Sequence, residues 1–179
     1  MVGNVYYIVF SIGLIIVLSI LLLLIKLIKA KPIMVVSLIV SIPTFILCQT
    51  YLWNFTFNSY VKSYLFPVES YSCEFEDELK DFIILLPNRT VSQAKEDVCS
   101  PFYISYVSKN EFQSFYEMEL TRLETLGLIQ NYYFVEEGVR GQKDRSGYFL
   151  ELATGATIVV SLRKFDDTSM LAITYVQDR

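Results

Sequence analysis

Two long apolar runs without charge constrain this chain more than any other feature. Residues 5–25 and 33–53 are each 21 residues long and contain no charged side chain. A helix of that length covers the ~30 Å hydrocarbon core of a bilayer at about 1.5 Å per residue. A cleaved signal peptide fits the first run poorly, because residues 1–4 lack a basic side chain. We therefore predict a transmembrane hairpin over residues 1–53.

The second run is the more polar of the two. It contains Ser41, Pro43 and Gln49, and Pro43 removes a backbone donor within the helix, which predicts a kink. We interpret the polar residues as sources of interhelical hydrogen bonds and packing. Pro43 and Gln49 are also the features behind an alternative function, in which the hairpin itself oligomerises as a pore or transporter subunit.

Three lysines predict the orientation of the hairpin. Lys26, Lys29 and Lys31 all lie in the connecting turn, residues 26–32, whereas residues 1–4 carry no basic side chain. The positive-inside rule places such a turn in the cytoplasm. We therefore predict a two-pass protein of a bacterial cell membrane with both termini on the extracytoplasmic side.

Apolar residues recur at helical spacing in the juxtamembrane segment, residues 54–72, and predict an amphipathic helix. This apolar stripe consists of Phe57, Tyr60, Val61, Tyr64 and Leu65. Polar residues, among them Asn58 and Ser63, occupy the opposite side. The stripe has three interpretations: it packs beneath the outer domain, it lies on membrane lipid, or it contacts a membrane partner.

The remaining residues, 73–179, predict one small α+β domain that begins with two strands. The apolar run 82–86 predicts a mostly buried strand, and the aromatic, β-branched run 101–107 predicts a second. Residues 88–99 are polar and indicate turns. One or both strands are expected to extend the main sheet of the domain.

A helix and a strand meander complete the predicted domain. Ser108 and Glu111 have the spacing of a capping box, and Gly127 is suited to a left-handed helix stop. The helix between them has one apolar face, with Glu119 predicted on the solvent side. Four strands follow and predict an antiparallel meander, at residues 128–135, 148–152, 157–162 and 170–176.

Two cysteines in the outer domain indicate a disulfide. Cys73 and Cys99 would close a loop of roughly 25 residues, worth about 3 kcal/mol in the chain-entropy model. Such a bond persists outside the cytoplasm. Unpaired thiols and a redox pair are the alternatives, although the spacing is not C-x-x-C.

Two charged segments are candidates for ligand binding. The loop 137–147 contains three basic residues, Arg140, Lys143 and Arg145. They could bind an anion such as a lipid head group or a wall polymer, or the loop could be a plain connector. The acidic cluster within residues 74–81 suits a Ca²⁺ site or a solvated turn. We favour the connector and the solvated turn, because neither segment has a recognised ligand spacing.

Composition narrows the classes of function. The 179 residues include no histidine, which excludes catalytic and metal sites that need imidazole. Residues 54–179 hold 12 basic and 19 acidic residues, a formal charge of −7, and this balance argues against nucleic-acid binding. We expect no cofactor and no catalysis, but an interaction module that contacts membrane lipid and a membrane or cell-envelope protein. A surface enzyme that uses carboxylates is the alternative.

Overall fold

The computed structural model combines helices with antiparallel sheet, so the chain is α+β, as the sequence predicts. It divides into two compact units, Met1–Val61 and Lys62–Arg179. The residues that the structure describes are 2–28, 31–95, 97–136, 139, 144–165 and 168–176.

The first unit contains two long apolar helices, α1 (Val2–Ile28) and α2 (Lys31–Trp53). Each includes a stretch that is long and apolar enough to cross a membrane, Val5–Leu27 and Val35–Trp53. Most of these apolar side chains are exposed rather than buried against protein. Pro43 lies inside α2, which stays helical on both sides of it.

A third helix, α3 (Phe55–Leu65), follows almost immediately and matches the predicted juxtamembrane helix. Asn54 separates it from α2, and the Asn54 Oδ1 accepts the Phe57 backbone N–H at 2.9 Å. A side chain that satisfies a free amide in the first turn in this way is a helix N-cap. The start of α3 is therefore encoded locally.

The second unit starts with a small two-stranded antiparallel sheet, made of β1 (Ser70–Ser72) and β2 (Ile83–Leu85). The run 82–86 is mostly buried, as the sequence predicts, because Phe82, Ile84 and Leu86 are buried. Of the two predicted early strands, β2 pairs only with β1, and the strand within residues 101–107 is the one that extends the main sheet. One face of this small sheet packs on the core and the other faces outward, so the strand alternates instead of being buried throughout.

The main sheet has six antiparallel strands in the order β3-β4-β8-β7-β6-β5. Their bounds are β3 Thr90–Lys95, β4 Pro101–Ser105, β5 Ile129–Val135, β6 Arg145–Leu152, β7 Thr157–Lys164 and β8 Ser169–Val176. The last four form the predicted meander. The expectation of turns at residues 88–99 is wrong where β3 lies, because pairing with β4 makes this polar segment a strand without apolar alternation.

The predicted helix of the outer domain is α4 (Lys109–Thr125), and its capping box is confirmed. The Ser108 Oγ accepts the Glu111 backbone N–H at 3.3 Å, and the Glu111 carboxylate accepts the Ser108 backbone N–H at 2.7 Å. These hydrogen bonds hold the pKa of Glu111 below its usual value. Gly127 adopts φ +71° after the helix, which confirms the left-handed stop.

One face of α4 packs on the sheet and forms the centre of the core. Its fully buried side chains are Phe112, Tyr116, Leu120 and Leu123. The prediction that Glu119 faces solvent is wrong, because this carboxylate is buried. It accepts the Leu85 backbone N–H at 2.9 Å and two guanidinium N–H groups of Arg122 at 2.6 and 2.7 Å. Glu119 thereby links α4 to β2.

Candidate functional site

The two long helices are joined by a polar contact. The Ser11 Oγ of α1 donates to the Gln49 Oε1 of α2 at 2.6 Å, and the Trp53 Nε1 donates to the same oxygen at 3.2 Å. An interhelical hydrogen bond is the role that the sequence analysis favours for Gln49. The contact involves the ends of the two predicted spans that lie far from the connecting turn in sequence, and it supports packing of one helix on the other.

The turn that joins the helices is described only in part. Lys26 is exposed near the end of α1, and Lys31 is the first residue of α2. Lys29 lies outside the described residues. The charge asymmetry that predicts orientation is therefore a property of sequence, and the orientation stays a prediction.

Helix α3 exposes the side that a soluble amphipathic helix would bury. Tyr60, Tyr64 and Leu65 of the apolar stripe are 44–64% exposed, whereas Phe57 and Val61 are half-buried. Exposed apolar side chains of this kind suit contact with lipid or with a membrane partner, and which of the predicted interpretations applies to the stripe stays a prediction.

The polar side of α3 is buried instead. Asn58, Ser59 and Ser63 are almost inaccessible to solvent. Asn58 donates from Nδ2 to the backbone carbonyl of Tyr51 at 3.1 Å, near the end of α2. Carbonyls in the last turn of a helix lack an intrahelical partner, so a buried amide is suited to this position.

An arginine that sequence reasoning missed holds the end of α3. The Arg89 guanidinium lies 4.3 Å from the ring centroid of Tyr64 and 4.9 Å from that of Tyr106. Arg89 has φ +62°, a backbone conformation that non-glycine residues rarely adopt. The strained turn before β3 thus aims a cation between two aromatic rings. No local pattern in the sequence brings these three residues together.

The disulfide joins the small sheet to the main sheet. Cys73 follows β1, Cys99 precedes β4, and their Cα atoms are 5.6 Å apart. Both are buried, and the Tyr71 hydroxyl donates to the Cys99 carbonyl at 2.7 Å. Burial is the main cause that raises the pKa of Tyr71, so the phenol stays a neutral donor. Cys48, the third cysteine, is free within α2.

Of the three basic residues of the candidate ligand loop, the structure describes only Arg145. Arg140 and Lys143 lie outside the described residues, and Arg145 belongs to β6, where it is only 7% exposed. Next to it, Asp144 accepts a hydrogen bond from the Arg163 guanidinium at 2.6 Å, and this bond lowers the pKa of Asp144. The expectation that Arg145 lies in the flexible loop is wrong, since β6 starts earlier than the apolar pattern indicates.

The acidic residues 74–81 do not converge on a metal position. Among the residues that the structure describes, no group of three potential ligand side chains is close enough to hold a metal ion. One of the carboxylates, Glu78, accepts a hydrogen bond from the Tyr175 hydroxyl at 2.7 Å. That contact ties the segment to β8.

A groove of about 230 Å³ lies between the β4–α4 connection and the β7–β8 hairpin. Lys109, Lys164 and Phe165 contribute to its lining, and sequence reasoning missed it because they come from separate segments. The Lys109 Nζ already lies 3.1 Å from the Glu136 Oε1. The groove therefore has a partly neutralised rim rather than a concentrated positive charge.

Comparisons with protein-family models, with curated proteins and with solved structures give no match to this chain.

Proposed function

We propose that this chain is a two-pass protein of a bacterial cytoplasmic membrane. It displays its disulfide-linked α+β unit outside the cytoplasm as a non-catalytic interaction module. The observation that carries the proposal is the pairing of two exposed apolar helices with a domain closed by a disulfide. The module would serve as an accessory, sensor, inhibitory or immunity-type subunit for a membrane or cell-envelope protein.

The exposed apolar surface of α1 and α2 supports the membrane location. Core helices of soluble proteins bury their apolar side chains, whereas most apolar side chains of α1 and α2 are exposed. Monomeric soluble proteins rarely expose contiguous apolar surface of this extent. Hydrocarbon is the solvent that makes such an exterior favourable.

Two independent features support the outward orientation of the second unit. Three lysines occur at the turn between the helices, and such turns stay in the cytoplasm. Two helices then return the chain to the outer side. The Cys73–Cys99 disulfide is suited to the same side, because thiols are kept reduced in the cytoplasm.

An interaction role is supported by two features: several charged groups of the second unit pair within the unit, and apolar residues of α3 are exposed. Glu119 and Arg122 link α4 to β2, Asp144 pairs with Arg163, and Lys109 pairs with Glu136. Tyr60, Tyr64 and Leu65, by contrast, present an exposed apolar surface beside the second predicted span. Surfaces of that kind are typical of lipid and protein contacts.

Topology is tested by a reporter that is active only outside the cytoplasm. Fused after Arg179 it is expected to be active, and fused within residues 28–31 it is expected to be silent. A silent C-terminal fusion with normal expression would overturn the orientation. Thiol alkylation of the membrane-bound protein provides a second readout, in which Cys73 and Cys99 react only after reduction.

The interaction role is tested by photocrosslinking in native membranes. A photoreactive phenylalanine analogue replaces Tyr64, and the same analogue at Met118, an exposed position on α4, is the matched control. We expect a reproducible protein or lipid adduct from position 64 and a different pattern from position 118. Identical patterns, or no adduct at position 64, would contradict a dedicated contact surface on α3.

A further inference from the structure

The two edges of the main sheet differ in how they are protected. The edge strand β3 contains Lys95, has a register irregularity between Ser92 and Ala94, and uses the Thr90 carbonyl to accept the Val68 backbone N–H at 2.7 Å. A charge, an irregularity and a covering segment are the usual means by which proteins block an edge from pairing. The β3 edge is therefore closed.

The opposite edge, β5, shares only the register irregularity and has no charged residue and no covering strand within the described residues. Its seven residues, Ile129–Val135, include no charged residue and no proline. β5 pairs with β6 on one side, and no other described strand pairs with it. Its register irregularity lies at its start, between Ile129 and Asn131, away from the aromatic run that follows. An uncharged edge of this length is a template for a further strand.

The aromatic run of β5 occupies both faces of the sheet. Tyr132 and Phe134 pack against the core, with Phe134 and Tyr148 ring centroids 4.8 Å apart. Tyr133 points to the other face, where its ring is stacked on Phe149 at 5.2 Å with an interplanar angle of 3°, and it is 53% exposed. Large side chains are thus already ordered along the open edge.

We infer that β5 pairs antiparallel with β5 of a second copy of this chain, about a two-fold axis at Tyr133. The run Tyr132-Tyr133-Phe134 has an aromatic residue on each side of its centre. The pairing therefore places Tyr133 opposite Tyr133 and Tyr132 opposite the second copy's Phe134. Aromatic cross-strand pairs stabilise sheets.

The self-complementarity of β5 selects a second copy over another partner. A two-fold contact uses the same surface on both chains, so one pairing covers both open edges at once. The backbone groups that face outward along each β5 then find partners in the other. The result is a continuous sheet of twelve strands. The inference concerns the sheet unit alone and is independent of which side of a membrane that unit occupies.

Cysteine crosslinking of the full-length protein in native membranes tests the pairing. Tyr133→Cys is made in a Cys48→Ser background, so that the introduced thiol is the free one. Facing residues in an antiparallel pair have Cβ atoms about 4.5–5.5 Å apart, close enough for oxidation to a disulfide with slight adjustment. Ser92→Cys, exposed on the closed β3 edge, is the matched control.

The expected result is a band at the mass of two copies from Tyr133→Cys, formed about tenfold faster than from Ser92→Cys, since only facing residues meet the disulfide geometry. Equal rates would overturn the inference. A crosslink to a different protein would overturn it as well, because β5 would then accept a foreign strand.

A second measurement needs no cysteine. Tyr133→Lys places two ammonium groups opposite each other at the axis, and like charges at facing positions destabilise a strand pair. We expect light scattering in detergent to give the mass of two copies for the chain with Tyr133. For the variant, the dissociation constant of the pair should be about tenfold higher. The same mass for both proteins would contradict pairing at this edge, and unchanged circular dichroism controls for folding of the variant.

Discussion

The two units of this protein place similar apolar side chains in opposite locations. In α1, Val17 is 63% exposed, whereas in α4 Leu120 is fully buried. The helix pair turns its apolar surface outward and keeps polar contacts such as Ser11–Gln49 between the helices. The sheet unit does the reverse, with an apolar core and charged pairs outside it. This difference is the one expected if the helix pair meets hydrocarbon and the sheet unit meets water.

Truncation in the core of the sheet unit should have the largest effect. Leu120→Ala leaves a cavity beneath α4 and is expected to lower the free energy of unfolding by about 2–5 kcal/mol. Leu126→Ala, at an exposed position just after α4, is the control and should change it by less than about 0.5 kcal/mol. Chemical denaturation followed by near-UV circular dichroism measures both. Equal losses of unfolding free energy in the two variants would contradict burial of Leu120 in the core.

An arginine at an exposed apolar position should be unfavourable in the helix pair and tolerated in the sheet unit. Val17→Arg places a cation near the middle of the first predicted span and is expected to disfavour insertion by about 2.5–3.5 kcal/mol. Phe75→Arg, at a 78% exposed site in the sheet unit, should be tolerated within about 0.5 kcal/mol. The fraction of protein in carbonate-washed membranes measures the contrast. Full insertion of Val17→Arg would remove the distinction between the two units.

Loss of the capping box should have an intermediate, pH-dependent effect. Ser108→Ala removes the side-chain acceptor for the Glu111 amide and is expected to cost about 1 kcal/mol at neutral pH.

The sign of the pH dependence follows from the lowered pKa of Glu111. The carboxylate stabilises the fold above its usual pKa of 4.5, and that contribution is lost as the pH falls through the lowered value. Glu111→Gln should therefore flatten the acid side of the unfolding profile, measured by thermal denaturation between neutral pH and pH 3. An unchanged acid limb would contradict a role for this carboxylate.

Removal of the polar contact between α1 and α2 should have the smallest effect. Ser11→Ala deletes the donor to Gln49, and hydrogen bonds between membrane helices contribute about 0.6 kcal/mol on average. Trp53, the single tryptophan, contacts the same Gln49 oxygen and reports the change as a shift in fluorescence maximum. Ser19→Ala is the control, because the Ser19 hydroxyl bonds only within α1, to the Ile15 carbonyl. Equal shifts in the two variants would remove the special role of Ser11.

Features that depend on residues close together in sequence were predictable. The capping box depends on Ser108 and Glu111, three residues apart, and the left-handed stop depends on one glycine. Helix α3 was likewise predicted from the spacing of its apolar residues. Local hydrogen bonds and helical periodicity decide these elements, so their sequence signals are complete in themselves.

Features of the candidate site that depend on distant partners were missed or reversed. In α3 the apolar Tyr60, Tyr64 and Leu65 are exposed and the polar Asn58, Ser59 and Ser63 are buried, which is the reverse of a soluble amphipathic helix. Glu119 was predicted to face solvent but meets the backbone of β2. Arg89 lies between the rings of Tyr64 and Tyr106 because its turn adopts a positive φ that the sequence does not indicate.

The sequence by itself determined that two apolar helices precede a small α+β unit, because the length and lack of charge of residues 5–25 and 33–53 are properties of the chain alone. Only the tertiary structure decided which face of α3 is open, which edge of the sheet is unprotected, and which carboxylate is buried. Those outcomes depend on hydrogen bonds and packing between segments far apart along the chain, and no local pattern encodes such encounters.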